Sequence, residues 1–520
     1  MPKGFPERHD DVNAVKEGLL QSKDIFNLLA NLYSFCSDKF IPIYNLLQDE
    51  LGQQKFRDCF HTFKQELLET MSLDIFITNF QKVLGVLKKN KESTENDYLI
   101  SLWAFLKAID WAVSDDTVYL NKMRAIKCKT SEPFEQKKYR LLLKPRNLIF
   151  NTIENEMVMG KIKTGIDIGQ RIEDQLQKIS LYEELSGRKI KFKLADLIVN
   201  ELLLNQGTNL AFAVSPICYD YKYSFKRFED EGFPRHSAHF IFRKINNWKE
   251  IARVIDTRLK ECINENVHIV VFPELSIDED LRKHISNWLK TNNRDMKIIM
   301  VIAGSYHILQ DKREAKYENS CIVYRFDGKE LWEQKKMNRF QLDEEDIKEL
   351  RAFKWSGLQS FIKLFRASDR RGEEHIEISD TLVLYDSPIG RMAVAICLDF
   401  IVKENVRLLL DPQVNIVFLP TMSFSLKKMK STNFTLGNFG AASVFCANSC
   451  WIRIGVEESK LEGKFNSGLA SYIYIPHKDD PKILKCSTDR DCLRCKPEIF
   501  RISEICEKGA LQSKLNHTLP

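Results

Sequence analysis

The sequence has no apolar run long enough to cross a bilayer. Its most apolar helical stretch, Tyr98 to Val113, is broken by Lys107 and Asp110 and falls short of the roughly 20 residues a span needs, so it reads as core. A signal peptide is also missing. Met1 to Asp11 is polar and no apolar segment follows, so a cytoplasmic protein without a membrane partner is expected. Charge of one sign is scarce: a formal net charge of +6 over 520 residues permits an acidic partner but does not call for nucleic acid. The thirteen cysteines lack the even, clustered spacing of a disulfide framework and read mostly as free, buried thiols in a reducing compartment. No internal repeat is evident.

A composition of 44% hydrophobic and 29% charged residues is that of a soluble globular chain, and the length implies two or three domains. Val15, Leu19, Phe26, Leu29, Tyr33 and Cys36 recur at steps of three, four and seven, the spacing of one helix face. Similar spacing runs through Phe56–Met71, Ile75–Leu87 and Leu99–Val113. The expectation is an all-α domain over residues 1–205 that serves oligomerisation or regulation and carries no chemistry of its own. The pattern changes near Asn205–Thr208. Short apolar strands then alternate with helices, from Leu210–Val214 to Trp451–Gly455, which predicts a layered α/β domain over 206–506. Residues 507–520 are polar and read as a flexible tail.

Three segments of the second domain place a reactive side chain at a strand end. In His268-Ile-Val-Val-Phe-Pro-Glu274 a strand stops at a proline and presents a carboxylate. Asn319 to Phe326, the turn Asp327-Gly328 and the strand ending at Lys335-Lys336 form a hairpin followed by a lysine. Gly390-Arg-Met-Ala-Val-Ala-Ile-Cys397-Leu-Asp399 is a buried strand that delivers a thiol. Singly, each has a plainer reading: a turn carboxylate, a solvated lysine, a small core cysteine. Their shared context is far more specific.

In these segments the chain, over about residues 208 to 503, resembles the nitrilase superfamily of carbon–nitrogen hydrolases. The resemblance implies an α-β-β-α domain that pairs into a larger layered assembly, hence a homo-oligomer. It assigns Cys397 as nucleophile, Glu274 as general base, and Lys336 with the Leu398 backbone N–H as oxyanion donors. A second glutamate is implied shortly after the lysine, at Glu344 with Glu345 as the alternative. Asp343-Glu-Glu-Asp346 equally suits a helix N-terminus. No cofactor is implied, and the substrate would be a small amide in preference to a nitrile.

The chain departs from the family in several places. The arginine many members carry after the Asp399 position is not found. Tyr219–Asn247 and Asp346–Glu377 look like insertions. The second, with Ile347, Leu350, Phe353, Leu358, Phe361, Ile362 and Phe365 at helical spacing, is expected either to control access to the site or to pack at a subunit interface. Cys486, Cys492, Cys495 and Cys506 offer one C-x-x-C and two outlying thiols, against the two such pairs of a zinc ribbon; zinc and reduced thiols both remain open. Two other functional readings also stand: a non-enzymatic scaffold, and an effector hydrolase gated by the helical domain in bacterial stress or antiphage defence.

Overall fold

The computed structural model divides into two compact units, residues 1–144 with 163–186 and residues 145–162 with 187–520. In the first it describes residues 32, 33, 36, 40–47, 49–70, 95–112, 126–129, 138–143 and 179–183. In the second it describes 187–193, 196–217, 222–228, 236–311, 316–352, 359–423, 427–440, 442–448, 469–476, 482–485 and 497–503. The expected strand Trp451–Gly455, the four C-terminal cysteines and the tail lie outside the described residues.

The first unit contains the helices Glu50–Thr70 and Glu95–Ala112 side by side. Lys55 pairs with Asp97 at 2.5 Å, Cys59 Sγ lies 3.6 Å from Ser101 Oγ, and the Phe63 and Phe105 rings meet edge to face with centroids 5.0 Å apart. A step of four on one helix matches a step of four on the other, so the two run parallel along the stripe that the sequence spacing implies. The expectation of an all-α domain fails further on. Strands β1 (Ile126–Lys129), β2 (Lys138–Leu143) and β3 (Ile179–Glu183) form an antiparallel sheet in the order β1-β2-β3, with Ile126 opposite Leu141 and Arg140 opposite Tyr182. Apolar residues alternate in these runs, as in Tyr139, Leu141 and Leu143. Runs of four to six residues are too short to stand out against a helical reading carried forward from upstream.

The second unit starts with β4 (Lys189–Lys193), β5 (Ala211–Val214), β6 (Tyr223–Phe228), β7 (Ser237–Ile245) and β8 (Ile269–Val271). It continues with β9 (Met300–Asp311), β10 (Lys316–Arg325), β11 (Glu330–Lys335), β12 (Gln341–Leu342) and β13 (Arg371–Glu374). Then come β14 (Thr381–Ser387), β15 (Gly390–Val394), β16 (Ile416–Thr421), β17 (Ser443–Asn448), β18 (Leu469–Tyr474), β19 (Lys482–Lys485) and β20 (Glu498–Arg501). Two large sheets result, ordered β11-β10-β9-β8-β5-β20 and β19-β18-β17-β16-β15-β14-β4. At the centre of each, three strands run parallel: β5, β8 and β9 in one, β15, β16 and β17 in the other. Central parallel strands are covered on both faces, which is why their sequences are continuous apolar runs without alternation.

The two sheets face each other. Phe212, Ile269 and Val271 of one share a core with Met392, Val394, Phe418 and Phe445 of the other, and Phe212 stacks on Phe445 with centroids 4.3 Å apart. The helices Trp248–Asn264 and Glu279–Asn292 cover the opposite face of the six-stranded sheet. Ile251, Ile255, Leu259, Leu281, Ile285 and Leu289 pack there against Ala213, Val270 and Val301. Each fully buried side chain of this kind contributes about 2 kcal/mol. Residues 187–206, assigned to the helical domain on sequence, join this unit: β4 pairs with β14, and Val199 and Leu203 enter the core beside Phe212.

A small sheet, β12-β13-β7-β6, lies beside these two. Its parallel pair β13–β7 sets Glu374 opposite Phe240. Phe361 and Phe365, from the segment between Lys336 and Cys397, pack on Phe240. Among the described residues no helix is long and apolar enough to cross a membrane.

Gly304 fixes the spacing between β9 and the turn after β8. Its φ is +66°, and a Cβ there would stand 2.1 Å from the Pro273 carbonyl oxygen, in backbone that cannot swing aside. Gly304→Ala should therefore lower the urea midpoint, by more than about 1 kcal/mol of stability. An unchanged midpoint would contradict this packing.

Candidate active site

The candidate reactive side chains stand where strands end. Glu274 follows β8, Lys336 follows β11 directly, and Cys397 follows β15. All three line one small cavity of about 20 Å³, room for about one water molecule. Glu374 lines it too, and the rest of its wall is apolar: the rings of Phe240, Phe242, Phe340 and Phe361, with Leu275 and Met422.

Each of the three is held by its backbone. Phe272 N–H donates to Ile302 O, and Glu274 bridges to Ser305 of β9. The turn then continues through Leu275 at φ +55°, whose carbonyl accepts from Tyr223 Oη at 2.9 Å. Lys336 N–H donates to Asn319 O at 2.7 Å, and Lys336 O accepts from Ser379 N–H. Cys397 has φ +48° at the start of the short 3-10 turn Cys397–Phe400. A non-glycine residue in the left-handed region costs about 1–2 kcal/mol. Here the strain lifts the thiol out of the strand and into the cavity.

Lys336 is 1% exposed and lies between two carboxylates, with Nζ 2.8 Å from Glu274 Oε1 and 2.8 Å from Glu374 Oε2. Burial works against its charge, but Glu274 and Glu374 outweigh that and hold the ammonium above the ordinary lysine value. Glu274 also accepts from Asn319 Nδ2 at 3.2 Å and from Met422 N–H at 3.1 Å. Glu374 has four donors. His307 Nε2 (2.6 Å) and Asn319 Nδ2 (3.0 Å) reach Oε1, while Lys336 Nζ and Phe340 N–H, each at 2.8 Å, reach Oε2. Burial again opposes ionisation, and Lys336 with the His307 hydrogen bond keeps this carboxyl well below its usual range. The Cys397 thiol shifts the other way. Burial first, then the Glu274 charge, push it up to about 12 against the pull of Lys336, so it rests protonated.

The structure thus brings Glu274, Lys336 and Cys397 together, with Leu398 next in the turn that Cys397 begins, and leaves Glu344 out. Glu344 opens the helix Glu344–Ala352, is 45% exposed and pairs with Lys348 at 2.7 Å. Its neighbour Glu345 is exposed. The helix-start reading of Asp343–Asp346 is the one that holds, because β12 carries the chain away from the cavity before Glu344 is reached. The second glutamate of the site is Glu374, at the far end of the segment read as an insertion. Along β13, Gly372 and Glu374 are buried while Arg371 is exposed and Glu373 only partly covered. A carboxylate on the inward side of a strand is the signal, and it becomes legible only once the register is known.

No protein-family profile and no curated protein matches the sequence. Solved structures do. The glutamine-dependent NAD+ synthetase from Acinetobacter baumannii matches at 13% identity over 56% of this chain and 45% of its own, with a TM-score of 0.35. The chain thus spans less than half of the synthetase. Saccharomyces cerevisiae Nit3 matches at 12% identity over 57% and 92%, TM-score 0.34. The amidase from Nesterenkonia sp. AN1, in a form with a covalent acetamide adduct at its active-site cysteine, matches at 11% over 60% and 97%, TM-score 0.36. The yeast protein and the amidase are members of the nitrilase superfamily, the family whose motifs the sequence resembles.

Asp399 is the titratable support of the site. Both its oxygens accept from Met337 N–H, at 3.1 and 2.9 Å, and one accepts from Asn338 Nδ2 at 2.9 Å, which anchors the backbone beside Lys336. Burial raises its pKa from 3.8 to about 7 despite these donors. The folded chain therefore holds this proton more tightly than the unfolded chain. The resulting stability is full below the ordinary carboxyl value and is lost as pH rises through about 7. Urea midpoints of the wild type minus those of Asp399→Asn should fall from pH 5 to pH 8. A difference that stays level would refute the assignment.

Proposed function

We propose that this chain is a cysteine-dependent hydrolase of non-peptide carbon–nitrogen bonds, of the nitrilase type, acting on an amide in preference to a nitrile. The observation that carries this reading is the buried set Glu274–Lys336–Glu374 around a cavity shared with Cys397. A scaffold has little use for an ammonium and two carboxylates at this burial, since removing charges from water costs several kcal/mol per ion and an apolar core would serve as well. A hydrolase uses each of them.

The thiol is too weak an acid to attack unaided. As Sγ closes on the carbonyl carbon, Glu274 takes the thiol proton, a C–S bond forms, and the carbonyl oxygen becomes an oxyanion. Lys336 and the Leu398 N–H donate to that oxygen, in a cavity where water does not screen them. The intermediate collapses, the C–N bond breaks, and the departing amine or ammonia takes the proton from Glu274. A thioester on Cys397 remains. Water then attacks it with Glu274 again as base, and the acid leaves as Cys397 regains its proton. The lysine stays an ammonium throughout, which the clamp of Glu274 and Glu374 favours.

The walls bear on the acyl group. Beyond the reacting groups and Glu374, whose oxygens already accept from four donors, the wall is four phenylalanine rings, Leu275 and Met422, so an uncharged apolar acyl group is the expected substrate. Among the described residues the cavity is small, and Phe361 of the segment 346–377 lines it, so that segment is the expected gate to entry.

Ammonia release from propionamide, isobutyramide, phenylacetamide and the charged succinamate tests the reading. The uncharged amides should be turned over and succinamate should lag. Cys397→Ala should lower the rate about a thousandfold or more while the urea midpoint stays close to wild type. Release by Cys397→Ala at the wild-type rate would end the proposal.

A further inference from the structure

His307 lies in β9, touches neither the thiol nor Lys336, and is fully enclosed: its side chain is 0% exposed. Its two ring nitrogens have opposite partners. Nδ1 faces the Phe242 backbone N–H at 2.7 Å, and Nε2 faces Glu374 Oε1 at 2.6 Å. A backbone N–H can only donate, so Nδ1 must be the bare nitrogen and the ring proton must sit on Nε2. A second proton on the ring would set two N–H groups against each other at Phe242. The β7 backbone thereby fixes both the tautomer and the neutral state, and the ring is aimed as a donor at Glu374.

That donor settles how Glu374 divides its acceptors. With His307 and Asn319 on Oε1, the other oxygen is turned to Lys336 and Phe340 N–H. Asn319 Nδ2 also reaches Glu274 Oε1, so the same amide spans both carboxylates. Were the His307 hydrogen bond lost, Glu374 could rotate to draw on Asn319 and Lys336 with either oxygen. The ammonium would then no longer be held at one point. This matters most when Glu274 accepts the thiol proton: Lys336 loses one of its two anionic neighbours at that moment, and only Glu374 keeps it in place beside the developing oxyanion.

We propose that His307, as the neutral Nε2–H tautomer, is a positioning residue that orients Glu374 and through it Lys336 for the reaction at Cys397. The inference rests on the hydrolase reading for its kinetic consequence, while the tautomer stands on geometry alone. It also separates two halves of the ring that substitution can imitate. Glutamine reaches the Nε2 position and can donate to Glu374. Asparagine reaches the Nδ1 position and can accept from Phe242 N–H but cannot reach Glu374.

The test uses the full chain with His307→Gln and His307→Asn. Long-range nitrogen–proton spectra of histidine-labelled wild type, with the His307 signals identified by their loss in His307→Gln, should show a neutral ring protonated at Nε2. A ring protonated at Nδ1 or at both nitrogens would overturn the proposal. Alkylation of Cys397 by iodoacetamide, followed by peptide mass, reads the site without knowledge of its substrate. His307→Asn should slow it about tenfold to about a hundredfold, the worth of one charge-assisted hydrogen bond, and His307→Gln should restore most of the rate. On an amide the loss should fall on kcat with KM nearly unchanged. Equal rates in the two variants at matched urea midpoints would refute the positioning role. Failure of the hydrolase reading would look different: the wild type would release no ammonia from any amide, while the tautomer and the alkylation ratio still decide the role of His307.

Discussion

The site depends on one ammonium held between two carboxylates out of reach of water. At 2.8 Å from each, the Lys336 charge is stabilised by attraction that burial strengthens, and the same burial makes either carboxylate costly to lose. Glu274 comes from the end of β8, Lys336 from the end of β11, and Glu374 from the end of β13. The ion cluster therefore ties the six-stranded sheet to the small sheet beside it. Asn319, inside β10, reaches both carboxylates and acts as a spacer between them.

Cys397 is the complement of this cluster. Burial first, and then the Glu274 charge, keep the thiol protonated against the pull of Lys336. A resting thiolate would be open to any electrophile that entered. In the proposed hydrolysis the protonated thiol becomes nucleophilic only as its proton moves to Glu274, so attack and proton transfer would be coupled. The left-handed backbone at Cys397 and at Leu275 shows where the fold accepts strain to aim these groups, and both lie at strand ends facing the cavity.

Much of this was legible in the sequence because strand ends are written locally. Apolar runs closed by Pro273-Glu274, by the Asp327-Gly328 hairpin and Lys336, and by Ile396-Cys397 are each contiguous in sequence, and the structure brings those three side chains to one cavity. Glu374 was not legible. It lies 38 residues beyond Lys336 in sequence and reaches it only because β13 pairs with β7 and β12, a long-range register that no local pattern encodes. Glu344 looked right in spacing but begins a helix on the solvent side. The short strands β1, β2 and β3 were hidden for a related reason: the pairing that defines them joins residues up to tens of positions apart.

Activation of a protonated Cys397 by Glu274, the core of the proposed hydrolysis, has a kinetic signature. The rate of Cys397 alkylation by a small neutral reagent, followed from about pH 6 to about pH 9 in the wild type and in Glu274→Gln, tests it most directly. The wild type should react at a nearly pH-independent rate, because the base is built in. Glu274→Gln should react at a slower rate that climbs tenfold per pH unit without a plateau, the behaviour of a thiol that titrates far higher. A plateau near the ordinary thiol value of about 8.5, identical in both proteins, would contradict activation by Glu274.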